Sequence, residues 1–123
     1  MDTSYKFNIF ELQHLLHLTY SDICTAYDVV TKKESNNKYQ IALGFINNAH
    51  STYLESRRLY FTGKIERQEF EDFFAKYERL ERELKEVISE EDTNTSWLYS
   101  RHEDFIEEMK SINELVAALN NSL

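Results

Sequence analysis

The chain has 123 residues, which is the usual length of one small domain. Its 22 acidic and 14 basic side chains give a formal net charge of −8, and its 41% hydrophobic residues suffice for a packed core, which argues against global disorder. Two glycines, no proline and one cysteine argue against turn-rich β folds, Rossmann and P-loop units, disulfide frameworks and cysteine-based zinc sites.

The first predicted helix covers residues 9–33. Asn8 is suited to its N-cap, with Glu11 three residues later as capping-box partner. Phe7 and Leu12 would form a hydrophobic staple across this cap. Core positions recur along one face at alternating steps of three and four residues: Ile9, Leu12, Leu16, Thr19, Ile23, Ala26 and Val30.

The second predicted helix covers residues 38–62. Asn37 with Gln40 forms another candidate capping box, and Gly63 is suited to a left-handed residue just after the helix. Gly44 lies in the helix interior, where we expect it to permit close contact with another helix. The apolar positions include Tyr39, Ala42, Leu43, Ile46, Ala49, Tyr53 and Tyr60.

The third and fourth predicted helices cover residues 67–89 and 97–120. The third has the clearest apolar stripe, which consists of Phe70, Phe73, Tyr77, Leu80, Leu84 and Val87, widened by Phe74 and Ile88. The stripe of the fourth consists of Leu98, His102, Phe105, Met109, Ile112, Val116 and Leu119. Because short connections force neighbouring helices to run antiparallel, the sequence predicts an all-α, single-domain, up-down-up-down four-helix bundle.

The negative charge is concentrated in the second half of the chain. Residues 1–61 hold six acidic and six basic side chains, whereas residues 62–123 hold sixteen acidic and eight basic ones. This excess predicts a docking surface for a basic protein. The candidate residues are Glu66, Glu69, Glu71, Asp72, Glu103, Asp104, Glu107 and Glu108. The alternative is a solvated face with ordinary helix pairing, such as Glu78 with Arg82 and Glu81 with Lys85.

The first helix has a second stripe outside its predicted core. It consists of Phe10, His14, His17, Ser21 and Cys24, flanked by Leu18. These residues recur at helical spacing, so they share one side of the helix. The stripe is either a second buried face or an interface with a partner or a second copy, and tyrosines such as Tyr20, Tyr27, Tyr53, Tyr60 and Tyr99 would favour an interface.

No constellation of catalytic or metal-binding residues is complete. Glu11 and His14 form a single Glu-x-x-His, whereas helical di-metal centres need two. His14 and His17 lack evident third and fourth zinc ligands, and a lone Cys24 is more typical of packing than of catalysis. His102 is expected at the core edge with a hydrogen-bond partner. We therefore expect no catalytic residue, no cofactor and no metal.

These features favour a non-enzymatic binding protein, most simply an immunity protein or antitoxin that neutralises a basic nuclease-type toxin. The alternatives are a phage-encoded inhibitor of a host defence nuclease and a homodimeric structural or assembly module. Neither a secretory signal nor a long apolar run is visible, so a cytoplasmic location is expected. The acidic balance disfavours nucleic acid and anionic membranes as partners.

Overall fold

The computed structural model describes residues 3–32, 34–91 and 95–121, and these residues form four α-helices with no strand among them. The helices are α1 (Thr3–Lys32), α2 (Lys38–Thr62), α3 (Gln68–Glu90) and α4 (Ser96–Asn121). Helix α1 packs most extensively on α2, and α3 on α4. The predicted all-α four-helix bundle is therefore confirmed, and these contacts are compatible with up-down packing.

The buried residues of all four helices form one hydrophobic cluster. Every predicted core position of α1 is buried, including the polar Thr19, whose hydroxyl donates to the Leu15 carbonyl oxygen of its own helix. The whole stripe of α3 is buried as well. In α4, His102 and Leu119 are only partly buried, at the edge of the core. The helical period of the sequence thus identified the faces that pack together.

Helix α1 begins at Thr3, five residues before the predicted Asn8 cap. The predicted capping box and staple are therefore wrong, because Asn8, Glu11 and Phe7 all lie inside the helix. Tyr5 continues the apolar period before Ile9, packs against the core, and its hydroxyl donates to the Ile65 carbonyl oxygen at 3.0 Å. This tertiary contact explains why the helix extends past a good local cap.

The end of α2 was predicted at the right residue but with the wrong conformation for Gly63, which has φ −80°. The left-handed residue is Lys64, with φ 51°. Its N–H donates to the Phe61 carbonyl, and the Ile65 N–H donates to the Tyr60 carbonyl, which is the Schellman pattern. A Cβ on Gly63 would lie 2.8 Å from the Leu59 carbonyl oxygen, so only a residue without a side chain fits at this position without a clash.

Three further expectations for α2 are wrong. At its start, the Asn37 side chain makes no capping hydrogen bond. Gly44 makes no close intramolecular contact either, since a Cβ there would meet no atom within 4 Å. The neighbouring Leu43 is exposed rather than in the core. One side of α2 is thus uncovered along its first half.

Candidate partner-binding site

An open groove of about 440 Å³ lies where α2 ends and α3 begins. Phe61 is its most prominent apolar side chain, with 60% of its surface exposed. The carboxylates of Glu66 and Glu71 also line the groove. The full lining, which we call the α2–α3 groove, is Tyr60, Phe61, Lys64, Glu66, Gln68 and Glu71.

The turn between the helices fixes the shape of the groove. Ile65 is buried beneath the turn, while both Lys64 and Glu66 have φ 51°, a conformation that non-glycine residues rarely adopt. The Tyr60 hydroxyl bridges the turn to α3, because it lies 3.1 Å from the Arg67 carbonyl oxygen and 2.9 Å from Glu71 Oε2. Burial and the Glu71 carboxylate raise the pKa of Tyr60 to about 12, so this hydroxyl remains a donor at neutral pH.

A smaller cavity of about 160 Å³ adjoins the groove and shares Tyr60, Phe61 and Glu71 with it. Arg57 forms one of its walls. The Arg57 guanidinium carbon lies 5.5 Å from the centroid of the Phe61 ring and 5.8 Å from that of Phe74. Its Nη1 atom also donates to Glu78 Oε2 at 3.1 Å. The protein's own arginine therefore already binds between aromatic rings and a carboxylate.

Tyr53 completes this network from within the core. Its hydroxyl donates to Glu78 and accepts a hydrogen bond from Arg57 at 3.0 Å. Burial is the main cause that raises the pKa of Tyr53 to about 12, with the Glu78 hydrogen bond second. Behind the smaller cavity, an uncharged tyrosine thus holds Arg57 and Glu78 in place, whereas the α2–α3 groove presents the carboxylates of Glu66 and Glu71. Aromatic faces beside carboxylates are the chemistry that attracts a lysine or arginine side chain.

The four predicted acidic residues near the start of α3 do not share one face. Glu71 bonds to Tyr60 and therefore faces α2. Asp72 lies one turn before Lys76, and Lys76 pairs with Glu108 of α4 at 3.2 Å, so this ridge faces α4. Glu69 is half-buried, and Glu66 is in the turn. Two of the four, Glu66 and Glu71, line the α2–α3 groove.

The predicted acidic residues of α4 differ in their exposure to solvent and in their ion pairing. Glu103, Asp104 and Glu107 are exposed. Glu108 has only 17% of its side chain exposed and is held in its ion pair with Lys76. The exposed three contribute to the negative field of the molecule, while Glu108 links two helices. The eight predicted acidic residues therefore do not form one continuous surface.

The second stripe of α1 is largely at the surface. Phe10, His14, His17 and Leu18 are exposed, and Cys24 is half-buried. The His17 Nε2 atom lies 2.9 Å from the Asn113 oxygen of α4, so this part of the stripe lies beside α4. Burial raises the pKa of the Cys24 thiol to about 12, which keeps it protonated. The stripe is therefore not a second core face, and its role as an interface stays a prediction.

Among the tyrosines considered for an interface, Tyr27, Tyr53 and Tyr60 are buried, whereas Tyr99 is exposed. His102 stacks on Tyr27 with ring centroids 3.8 Å apart, and burial lowers its pKa. Its partner at the core edge is therefore an aromatic ring.

Sequence reasoning missed Arg57, which is the cationic part of the site, and Phe61, which is its aromatic part. Both lie outside the predicted stripe of α2, and the position of Phe61 beside a charged turn was the available clue. It also missed that Glu81 and Glu83 are buried, each with only 6% of its surface exposed. Glu81 does pair with Lys85 at 3.2 Å, as predicted, but Glu78 turns toward α2 and pairs with Arg57.

Within residues 3–32, 34–91 and 95–121, no three His, Cys, Asp or Glu side chains come close enough to hold a metal ion. None of the four helices, over the same residues, has an apolar stretch long enough to cross a membrane. The chain matches no protein-family model, no curated protein and no solved structure. The assignment of a function therefore depends on the chemistry of the groove and on the charge of the molecule.

Proposed function

We propose that the protein is a non-enzymatic binding protein that neutralises a basic, nuclease-type toxin, as an immunity protein or antitoxin. The observation that carries this proposal is the α2–α3 groove, where the exposed Phe61 ring stands beside the carboxylates of Glu66 and Glu71. A lysine or arginine of the partner would lie against the ring and pair with these carboxylates. The cytoplasm is the compartment we expect for this encounter.

The rest of the molecule supports association with such a partner. A net charge of −8 attracts a basic protein at long range and speeds the encounter, most strongly at low salt. A nuclease uses its basic surface to bind phosphates. Carboxylates seated on that surface would exclude nucleic acid, so binding alone would inhibit the enzyme without any chemistry by this chain.

Affinity capture from the native host, with Phe61→Ala compared with wild type, tests the site. Aromatic anchors in a groove carry a large share of binding energy, so we expect the captured basic protein to be lost or strongly reduced. Phe7→Ala is the matched control, because Phe7 has 63% of its surface exposed and is not among the residues that line the groove. We expect this control to capture the partner as wild type does.

The captured protein must also have nuclease activity that the wild-type chain inhibits and Phe61→Ala does not. Capture that survives Phe61→Ala but not Phe7→Ala would move the site to the start of α1. A captured protein that is neither basic nor a nuclease would contradict the proposed function.

A further inference from the structure

Helix α2 contains a long stretch without charge. From Tyr39 to Leu54 it has no Asp, Glu, Lys or Arg, although 29% of the chain is charged. The exposed side chains of its first half include Ile41, Asn47 and Asn48. A shallow depression of about 310 Å³ is lined by Ile41, Gly44, Phe45 and Asn48, which we call the Gly44 face. This face is apolar and amide-bearing, unlike the acidic half of the molecule.

Gly44 is one of the residues that line this face, and no neighbouring group within the chain requires a glycine there. A Cβ there would meet no atom within 4 Å. A glycine inside a helix costs about 1 kcal/mol relative to alanine. A helix without a side chain at that point does, however, let another helix approach closely from outside, with Ile41 and Phe45 as the flanking apolar contacts.

We propose that the Gly44 face binds a second copy of this chain across a two-fold axis. Two molecules that each carry −8 repel one another, so they can meet closely only where charge is absent. The side-chain amide of Asn48 has both donor and acceptor groups, so the two identical copies can satisfy each other without a complementary charge. A basic partner would find no carboxylate among residues 39–54.

The two surfaces do not compete. The Gly44 face occupies the first half of α2, whereas the α2–α3 groove begins at Tyr60 and extends into α3. A dimer formed at the Gly44 face therefore leaves the Phe61 groove of each copy open. This inference does not depend on the function proposed above.

Sedimentation equilibrium of the full chain over a range of concentrations tests the dimer. We expect wild type to pass from monomer to dimer, and Gly44→Leu to weaken dimerisation at least about 10-fold by filling the contact. The same substitution raises helix propensity at an open position, so the variant monomer should melt no lower than wild type. Ala118→Leu, at an exposed position of α4, is the control and should dimerise as wild type.

Asn48→Asp provides a second variant with almost no change of shape. It places like charges across the two-fold axis, so the dimer should weaken at low salt and recover at high salt. A wild-type chain that stays monomeric up to about 1 mM would overturn the proposal, since the Gly44 face would then not hold two copies together at any concentration that the experiment reaches. A dimer that tolerates both variants equally would overturn it as well, because the copies would then meet elsewhere.

Discussion

The two helical hairpins close their interfaces with side chains of different size. Between α1 and α2 the backbones come close, and the buried residues of these two helices include the small Ala26, Ala42, Ala49 and Ser56. Helix α3 instead presents large rings, and Phe73 packs on Phe105 of α4 with centroids 4.8 Å apart. Large side chains between two helices hold the helix axes further apart. Long polar side chains can then reach across the space between α3 and its neighbours.

In the part of the chain that the structure describes, the ion pairs that join different helices all involve α3. His50 with Glu81 and Arg57 with Glu78 join it to α2, while Lys76 with Glu108 and Arg101 with Glu83 join it to α4. Residues 1–61, which include α1 and all but the last residue of α2, have no net charge. A neutral hydrogen bond of 2.8 Å between Thr19 and Thr52 joins these two helices. Part of the acidic excess is therefore structural, and only the remainder can serve a partner.

The largest effect is expected from removing volume in the α3–α4 hairpin. Leu84 is fully buried, so Leu84→Ala should lower the free energy of unfolding by about 2–5 kcal/mol through lost burial and a residual cavity. Urea unfolding with an unchanged m-value measures this. A change of less than about 0.5 kcal/mol would mean that the position behaves as a surface site.

The α1–α2 hairpin should be sensitive to the opposite substitution. Ala49 is fully buried where the backbones come close, so Ala49→Leu should cost about 1–3 kcal/mol by overpacking. The same replacement at the exposed Ala118 should be close to neutral. Equal urea midpoints for the two variants would show that the packing around Ala49 accommodates a larger side chain.

The charged links of α3 can be broken one partner at a time. Arg101 is the ion-pair partner of the buried Glu83, at 3.1 Å, so Arg101→Met should cost about 1–3 kcal/mol by leaving a buried carboxylate unpaired. The double variant Arg101→Met, Glu83→Met removes both charges and should regain most of that loss. A single variant as stable as wild type would indicate that water replaces the arginine.

Alkaline pH should destabilise the α2–α3 contact. Burial first, and hydrogen bonds to carboxylates second, raise the pKa of Tyr53 and Tyr60 to about 12, above the ordinary 10.0. Between these values the unfolded chain loses protons that the folded chain keeps, so stability is present below pH 10 and falls as the pH rises toward 12. Melting temperature against pH measures this fall. The variant Tyr53→Phe, Tyr60→Phe should show a shallower fall, and an identical one would contradict this origin.

The smallest effect concerns the turn that shapes the groove. Lys64 adopts a left-handed conformation, so Lys64→Gly should raise stability by about 0.4–1 kcal/mol by relieving the unfavourable φ. Lys64→Ala removes the same charge without that relief and should not stabilise the protein. Thermal unfolding of the two variants separates conformation from charge, and an equal gain from both would attribute it to charge.

The sequence predicted the number of helices and the bounds of α2, α3 and α4 to within one residue, because the apolar period and the polar breaks are local properties. It misplaced the start of α1, since the contact of Tyr5 with Ile65 is tertiary and no local cap reports it. For the same reason it could not tell that Gly44 faces open space.

The sequence predicted the acidic residues of the candidate site, but neither the face on which each of them lies nor the aromatic residue beside them. Glu66 and Glu71 could be identified from a run of acids, but the run is divided between two faces by the rotation of α3. That division depends on which helix each side chain meets, as Glu71 meets Tyr60 and Lys76 meets Glu108. Phe61 could not be selected from the sequence, because exposed aromatic residues near helix ends are common. Only the groove beside Phe61, which the structure shows, distinguishes it from the others.

The central claim is that the groove binds a basic partner by specific contact, beyond the general pull of a negative molecule. Stopped-flow association and dissociation with the captured partner tests this by comparing two variants of equal charge, Glu66→Gln, Glu71→Gln in the groove and Glu103→Gln, Glu107→Gln on α4. We predict that the groove variant dissociates much faster, while the α4 variant only associates slightly more slowly and shows a weaker salt dependence. Equal dissociation rates for the two variants would contradict the claim, because charge alone, and not the α2–α3 groove, would then account for binding.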